Sequence, residues 1–213
     1  KSIGCDYIYI IDSDMMLRES LITDCLEYFN QNPHVGGLVI PENAWSPSNN
    51  FYSKVKVFER NIINNAGTEV GSRSIEAARF WKTNEYDKTG GINPSQIAFE
   101  ETQPTIRYLE MGGILKRAIF TGVKHNEKRV TLRDLLKKKK YYFNQMDKTL
   151  TTESQGFRKA LSRWYFFRPV LYRGANLISY IKHPLLSWGM FIMYFLLSFS
   201  AVTAIISSRF KRG

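Results

Sequence analysis

Cysteine is scarce in this chain: Cys5 and Cys25 are the only two among 213 residues. Their spacing suits neither a metal knuckle nor a redox pair, so both are expected as inert buried thiols, and nothing argues for an oxidising compartment. Acidic residues are few as well, 19 against 30 Lys and Arg, which leaves a formal charge of +11 and a pI near 9.6. Such a balance calls for an acidic partner: nucleic acid, anionic lipid or a phosphate-bearing substrate. The sequence also has no internal repeat, no low-complexity linker and no initiator methionine. Tyr7 to Ile11 is already a strand-length apolar run of the kind found inside a parallel sheet. The expectation is therefore a piece whose upstream part is missing.

What is present narrows the partner. Basic residues crowd the second half, through Lys137 to Lys140 and on to Arg158, Arg163, Arg168, Arg173 and Lys182, and stop where a long apolar stretch begins. From Leu185 to Ile206 there is no charge. At 1.5 Å per residue this reaches about 33 Å, against a hydrocarbon core of roughly 30 Å. Trp188 near one end and Arg209, Lys211 and Arg212 beyond the other complete the expectation of a transmembrane helix over 184–208. A positive flank beside such a segment has its own explanation, so nucleic acid is not the expected partner. The mixture of aromatic, apolar and basic residues over 157–181 suits a helix in the headgroup region.

Strand and helix signals alternate through the first 140 residues, which predicts an α/β layered sheet. Leu21, Ile22, Cys25, Leu26 and Phe29 mark one helix face; Phe51, Val55, Phe58 and Ile62 mark another. Leu38 to Ile40, Ile75 to Trp81 and Ile114 to Phe120 read as strands, residues 41–50 as a loop, and a helix over 101–111 ends at Gly112-Gly113. In open sheets of this kind chemistry lies at the carboxyl ends of strands. Asp12 and Asp14 stand at such an end, and carboxylates there are hard ligands for Mg²⁺ or Mn²⁺. By itself Asp-x-Asp is as readily a capping turn.

The order of the downstream motifs gives the pair more weight. The run Tyr7-Ile8-Tyr9-Ile10-Ile11-Asp12-Ser13-Asp14 leads to Ala78-Arg79-Phe80-Trp81, then Gly90-Gly91-Ile92-Asn93, then Glu100-Glu101 with Arg107 and Gly112, and last His125. This order resembles the family 2 glycosyltransferases of the GT-A fold. The resemblance covers residues 6 to about 140, with Glu101 where the family usually has Asp and Ile92-Asn93 in place of Phe-Asp. It implies the C-terminal part of a GT-A domain, Rossmann-like with a mixed sheet, over 1–140. A basic amphipathic segment over 141–183, one transmembrane helix over 184–208 and a basic tail over 209–213 would come after it.

The resemblance further implies sugar transfer from a nucleotide-sugar donor to a membrane-associated acceptor, lipid-linked or a cell-surface glycan, with inversion. A divalent metal, Mg or Mn, would sit on Asp14, with Asp12 on ribose or metal and His125 as a further metal ligand or diphosphate contact. Glu101 would be the general base, with Glu100 able to exchange roles with it. Arg79, Gly90, Gly91 and Arg107 would contact substrate, although Arg107 also suits an internal ion pair and Arg79 a solvated strand end. Gln155-Gly156-Phe157-Arg158 lacks the Trp of the processive members' motif, so processivity is not expected. Because nucleotide sugars are cytosolic, a single-pass topology with the catalytic part on the cytoplasmic side is implied. Two rivals stand beside this reading: transfer to a soluble or polymeric acceptor, and an inactive membrane scaffold of the same fold.

Overall fold

The computed structural model describes residues 4–64, 67–69, 74, 76–94, 101–144 and 165–210. The expected α/β class is what forms, but the chain gathers into two compact units that interleave in sequence. The first is drawn from Lys1–Ala44, Ala66–Pro94 and Phe99–Asn126; the second is drawn from Trp45–Asn65, Ser95–Ala98 and Glu127–Gly213.

The first unit holds the sheets. Strands β1 (Tyr7–Ile10), β3 (Gly37–Val39), β5 (Arg79–Lys82) and β6 (Leu115–Arg117) form one sheet in the order β1-β5-β3-β6. β5 is antiparallel to both its neighbours, and β3 and β6 are parallel, so the sheet is mixed. Period-two alternation sends Tyr9, Leu38 and Phe80 to one face. There they meet Leu21, Cys25 and Phe29 of helix α1 (Leu21–Gln31). The rings of Tyr7, Phe29 and Phe80 stack with centroids 5.6 to 5.8 Å apart. On the opposite face Trp81 and Leu115 pack against Tyr108 of helix α4 (Thr102–Glu110). Burying side chains of this size contributes about 1.5–3 kcal/mol each. A short helix α3 (Thr83–Lys88) joins β5 to the Gly90-Gly91 turn. Strands β2 (Met15–Leu17), β7 (Val123–Asn126) and β4 (Glu42–Trp45) form a second small sheet in that order.

The second unit is helical. Asn50 caps helix α2 (Phe51–Asn64) by accepting the Ser53 N–H at 2.9 Å. Thr131 and Asp134 exchange side-chain-to-backbone bonds at the start of helix α5 (Leu132–Asn144), a capping-box arrangement. Short 3₁₀ turns at Tyr165–Phe167 and Pro169–Tyr172 lead to helices α6 (Gly174–Lys182) and α7 (Pro184–Phe210). Val55, Phe58 and Ile62 of α2 pack on Met190, Met193, Tyr194 and Leu197 of α7. Buried among them, Glu59 accepts from the Tyr194 hydroxyl at 2.8 Å and from Lys56 Nζ at 2.6 Å.

Several expectations need correction. The apolar run at Tyr7 lies at the sheet edge, half-buried and antiparallel to its partner, not inside a parallel sheet. Cys5 is exposed; only Cys25 is buried, where desolvation and the nearby Asp24 push its thiol up to about 12. The segment expected as one amphipathic helix over 157–181 is two 3₁₀ turns and then α6, because Pro169 breaks the backbone ladder; its first residues, and the Gln155 motif, lie outside the described residues. The helix expected over 184–208 is present as α7, but α2 covers one of its faces. No single helix among the described residues is long and apolar enough to cross a membrane. Only α6 taken with Pro184–Ser200 passes, and that pair is bent by 111°.

Candidate active site

The chain turns sharply after β1, with the Met15 N–H bonding back to the Asp12 carbonyl at 3.2 Å. It then enters β2, whose Met15 lies directly opposite His125 on β7. Asn126 N–H bonds the Asp14 carbonyl at 3.1 Å, which locks this register. Two residues far apart in sequence are thereby brought together, with His125 Nε2 lying 3.6 Å from Asp14 Oδ1. The other ring nitrogen, Nδ1, lies 2.9 Å from Glu42 Oε2. Glu42 is buried just past β3 and also accepts the Ala77 N–H at 2.6 Å. The ring therefore lies between two carboxylates, with Glu42 at Nδ1 and Asp14 facing Nε2.

At 3.6 Å the gap between Nε2 and Oδ1 is too long for a direct hydrogen bond. One imidazole and one carboxylate facing each other, with a second carboxylate behind the ring, is the donor pattern of a metal-binding histidine and its orienting partner. Among the described residues no group of three or more His, Cys, Asp or Glu is arranged to hold a metal ion. The pair offers one carboxylate oxygen and one imidazole nitrogen, so a divalent cation held there would have to complete its shell with other ligands. Asp12 is exposed on the same turn.

Arg79 is wholly buried at the edge of β5, and its guanidinium is engaged by the protein. Its Nε donates to Thr105 Oγ1 of α4 at 3.3 Å, and its terminal nitrogens donate to the carbonyls of Glu76 and Ala78 and to Ser74. Burial pulls it below the ordinary guanidinium value, and the charges of Glu76, Glu101 and Glu42 oppose that pull. Of these carboxylates Glu76 favours the buried cation most, with Glu101 and Glu42 adding to it. In the next strand Arg117 donates to the Glu76 carboxylate, which also accepts from Ser74 at 2.6 Å. Burial alone would raise the Glu76 value; Arg117, Ser74 and Arg79 outweigh it and hold the carboxyl below its usual range.

Glu101 is the N-cap residue of α4, yet its side chain makes no capping bond and is half-buried. Glu100 lies outside the described residues. Gly90 and Gly91 have φ of +73° and +70°, a conformation in which a Cβ is strained, so glycine is required at this turn. Arg107 donates to the Gly91 carbonyl and so ties the turn to α4. The structure therefore brings together Asp14 with His125 and Arg107 with Gly91, and ties Arg79 of β5 to Thr105 of α4. An open cleft of about 500 Å³ at the other end of β1, lined by residues including Cys5, Tyr7, Lys82 and Asn84, contains none of these groups.

Glu42 was not expected from the sequence. Its signal was a carboxylate shortly after the buried run Leu38 to Ile40, in a stretch read as loop that in fact begins with β4. Glu76 was missed in the same way, as a carboxylate leading into a strand. No protein-family model matches the chain, and no curated protein is significantly similar to it.

Proposed function

We propose that this protein is a metal-dependent glycosyltransferase of GT-A type that moves a sugar from a nucleotide-sugar donor to a membrane-associated acceptor, a lipid-linked sugar or a cell-surface glycan. The observation that carries the reading is the Asp14–His125 pair past the carboxyl end of β1, with Glu42 behind the ring. The mixed sheet, the Gly90-Gly91 turn and the Glu101 end of α4 support it by succeeding one another in the order the resemblance requires.

In this reading Asp14 and His125 would hold Mg²⁺ or Mn²⁺, which would supply positive charge to the departing diphosphate. Asp12 would meet the ribose or the same ion. Glu42 keeps the His125 ring in one orientation. Glu101 accepts the proton of the acceptor hydroxyl as that oxygen attacks the anomeric carbon and the bond from that carbon to the diphosphate oxygen breaks, a single displacement with inversion. Glu100 is the neighbour able to exchange roles with it. Arg107 shapes the Gly90-Gly91 turn beside the substrate, and Arg79 joins β5 to α4 through Thr105. The catalytic unit works on the cytoplasmic side of a membrane, where nucleotide sugars are found, and the excess of basic residues serves anionic lipid instead of nucleic acid.

The test is incubation of the protein with a panel of nucleotide sugars and a membrane lipid extract, with Mn²⁺ or with a chelator. Release of nucleoside diphosphate from at least one donor, abolished by the chelator and by Asp14→Asn, is the expected result. No metal-dependent release from any donor would overturn the reading.

A further inference from the structure

Helix α7 is apolar on two opposite sides. Met190, Met193, Tyr194 and Leu197 form the buried side against α2. Leu185, Trp188, Ile192, Phe195, Phe199 and Val202 are exposed and recur at alternating steps of three and four residues, which makes one continuous stripe along the helix. The most exposed large apolar side chains among the described residues are Ile181, Leu185 and Trp188, at 80%, 75% and 69%. Ile181 and Leu185 stand on either side of the break between α6 and α7, so the stripe continues round the elbow.

The choice of occupant rests on charge. A water-exposed helix seam needs charged residues at its flanks to keep it soluble and in register, but α7 carries no charge before Arg209. From Ser154 to Gly213 there is no Asp or Glu, while Arg168, Arg173 and Lys182 precede the stripe and Arg209, Lys211 and Arg212 come after it. An apolar strip bracketed by cations and free of anions matches the surface of an anionic bilayer. A spanning orientation conflicts with the packing. α2 and α5 both lie along α7 and carry Lys56, Glu59, Arg60, Arg133, Asp134 and Lys137. A perpendicular α7 would draw those charges into hydrocarbon, at a cost of several kcal/mol.

We propose that α6 and α7 form an in-plane membrane elbow: the exposed stripe sinks about 5–10 Å into one leaflet of an anionic membrane, and the opposite side of α7 stays docked on α2. The chain then enters and leaves the membrane on the same side. This rests on the reading that the protein works at a membrane, and it does not depend on the reaction.

The experiment adds the purified protein, tagged after Gly213, to preformed sealed vesicles of phosphatidylcholine, with and without phosphatidylserine. Flotation with the phosphatidylserine vesicles, weakened by salt, is expected, together with full cleavage of the tag by protease added outside. The double substitution Phe195→Glu and Phe199→Glu should reduce flotation at least tenfold while the melting temperature and any hydrolysis of nucleotide sugar in solution stay unchanged. A tag protected inside the vesicles would overturn the elbow in favour of a span. Wild-type protein that stays a dimer through the stripe and ignores vesicles would overturn it in favour of self-association. Loss of transferase activity alone, with flotation intact, would count against the proposed reaction and leave the elbow standing.

Discussion

His125 stands between two carboxylates, with Nδ1 2.9 Å from Glu42 and Nε2 3.6 Å from Asp14. The first contact is buried and fixes the ring; the second faces a half-exposed carboxylate. Glu42→Gln keeps the volume but removes the charge that orients the His125 ring. Mn²⁺ affinity, read from the EPR signal of the free ion, should fall about 10–100-fold, with the fold retained. Unchanged affinity would mean that Glu42 serves the fold alone.

Arg79 joins β5 to α4 through Thr105 without facing solvent. Arg79→Lys loses the planar fork that engages Thr105, Ser74 and two carbonyls, and a single ammonium cannot reproduce it. A stability loss of about 1–3 kcal/mol is expected, because buried acceptors now met by the guanidinium are left unsatisfied while the charge itself is kept. Chemical denaturation reads this directly. A variant as stable as the wild type but with a raised KM for the donor would instead make Arg79 a substrate ligand.

Glu59 sets an acid limit for the helical unit. Burial would raise its value, but Lys56, Arg168 and Arg60 outweigh burial and bring it from 4.5 down to about 2. A carboxyl depressed on folding stabilises above its unfolded value and loses that contribution as pH falls towards its folded value. The window is therefore from about pH 4.5 down to about pH 2. Denaturation midpoints taken at pH 6, 4 and 3 (pH values spaced about this window) should fall for the wild type, and less steeply for Glu59→Gln, which starts lower. Parallel slopes for the two proteins would remove Glu59 as the cause.

The turn at Gly90-Gly91 depends on left-handed backbone. Gly91→Ala should cost about 1–2 kcal/mol from the forced φ alone and loosen the Arg107 contact. Hydrogen exchange across residues 89–93 would rise if so. Exchange that stays at the wild-type level would show that the turn holds without it.

Much of this architecture was legible in the sequence. The periods of α1 and α2 were long and clean, and α4 ended where Gly112-Gly113 said it would. The strand leading to Asp12 and Asp14 was visible as an apolar run. The second sheet was not legible, because β2, β4 and β7 are three or four residues long, too short for a period of two to stand out. That sheet is what carries His125 to Asp14 and puts Glu42 at its ring, so this grouping was hidden with it. Burial of Arg79 was equally illegible, since a strand-end arginine is ordinarily solvated and only the approach of α4 and Glu76 changes that. The uncharged run after Leu185 matched a membrane span in composition, and only packing could show that α2 takes one side of it.

Sugar transfer with Glu101 as the base is tested by kcat of Glu101→Gln with a nucleotide sugar that the wild type turns over. The substitution keeps the shape of the α4 terminus and removes basicity, so kcat should fall about 10²–10⁴-fold, while Mn²⁺ and donor affinity stay at wild-type values because Asp14 and His125 are untouched. A variant that transfers sugar within about threefold of wild type, far less than removal of a general base costs, would contradict the account.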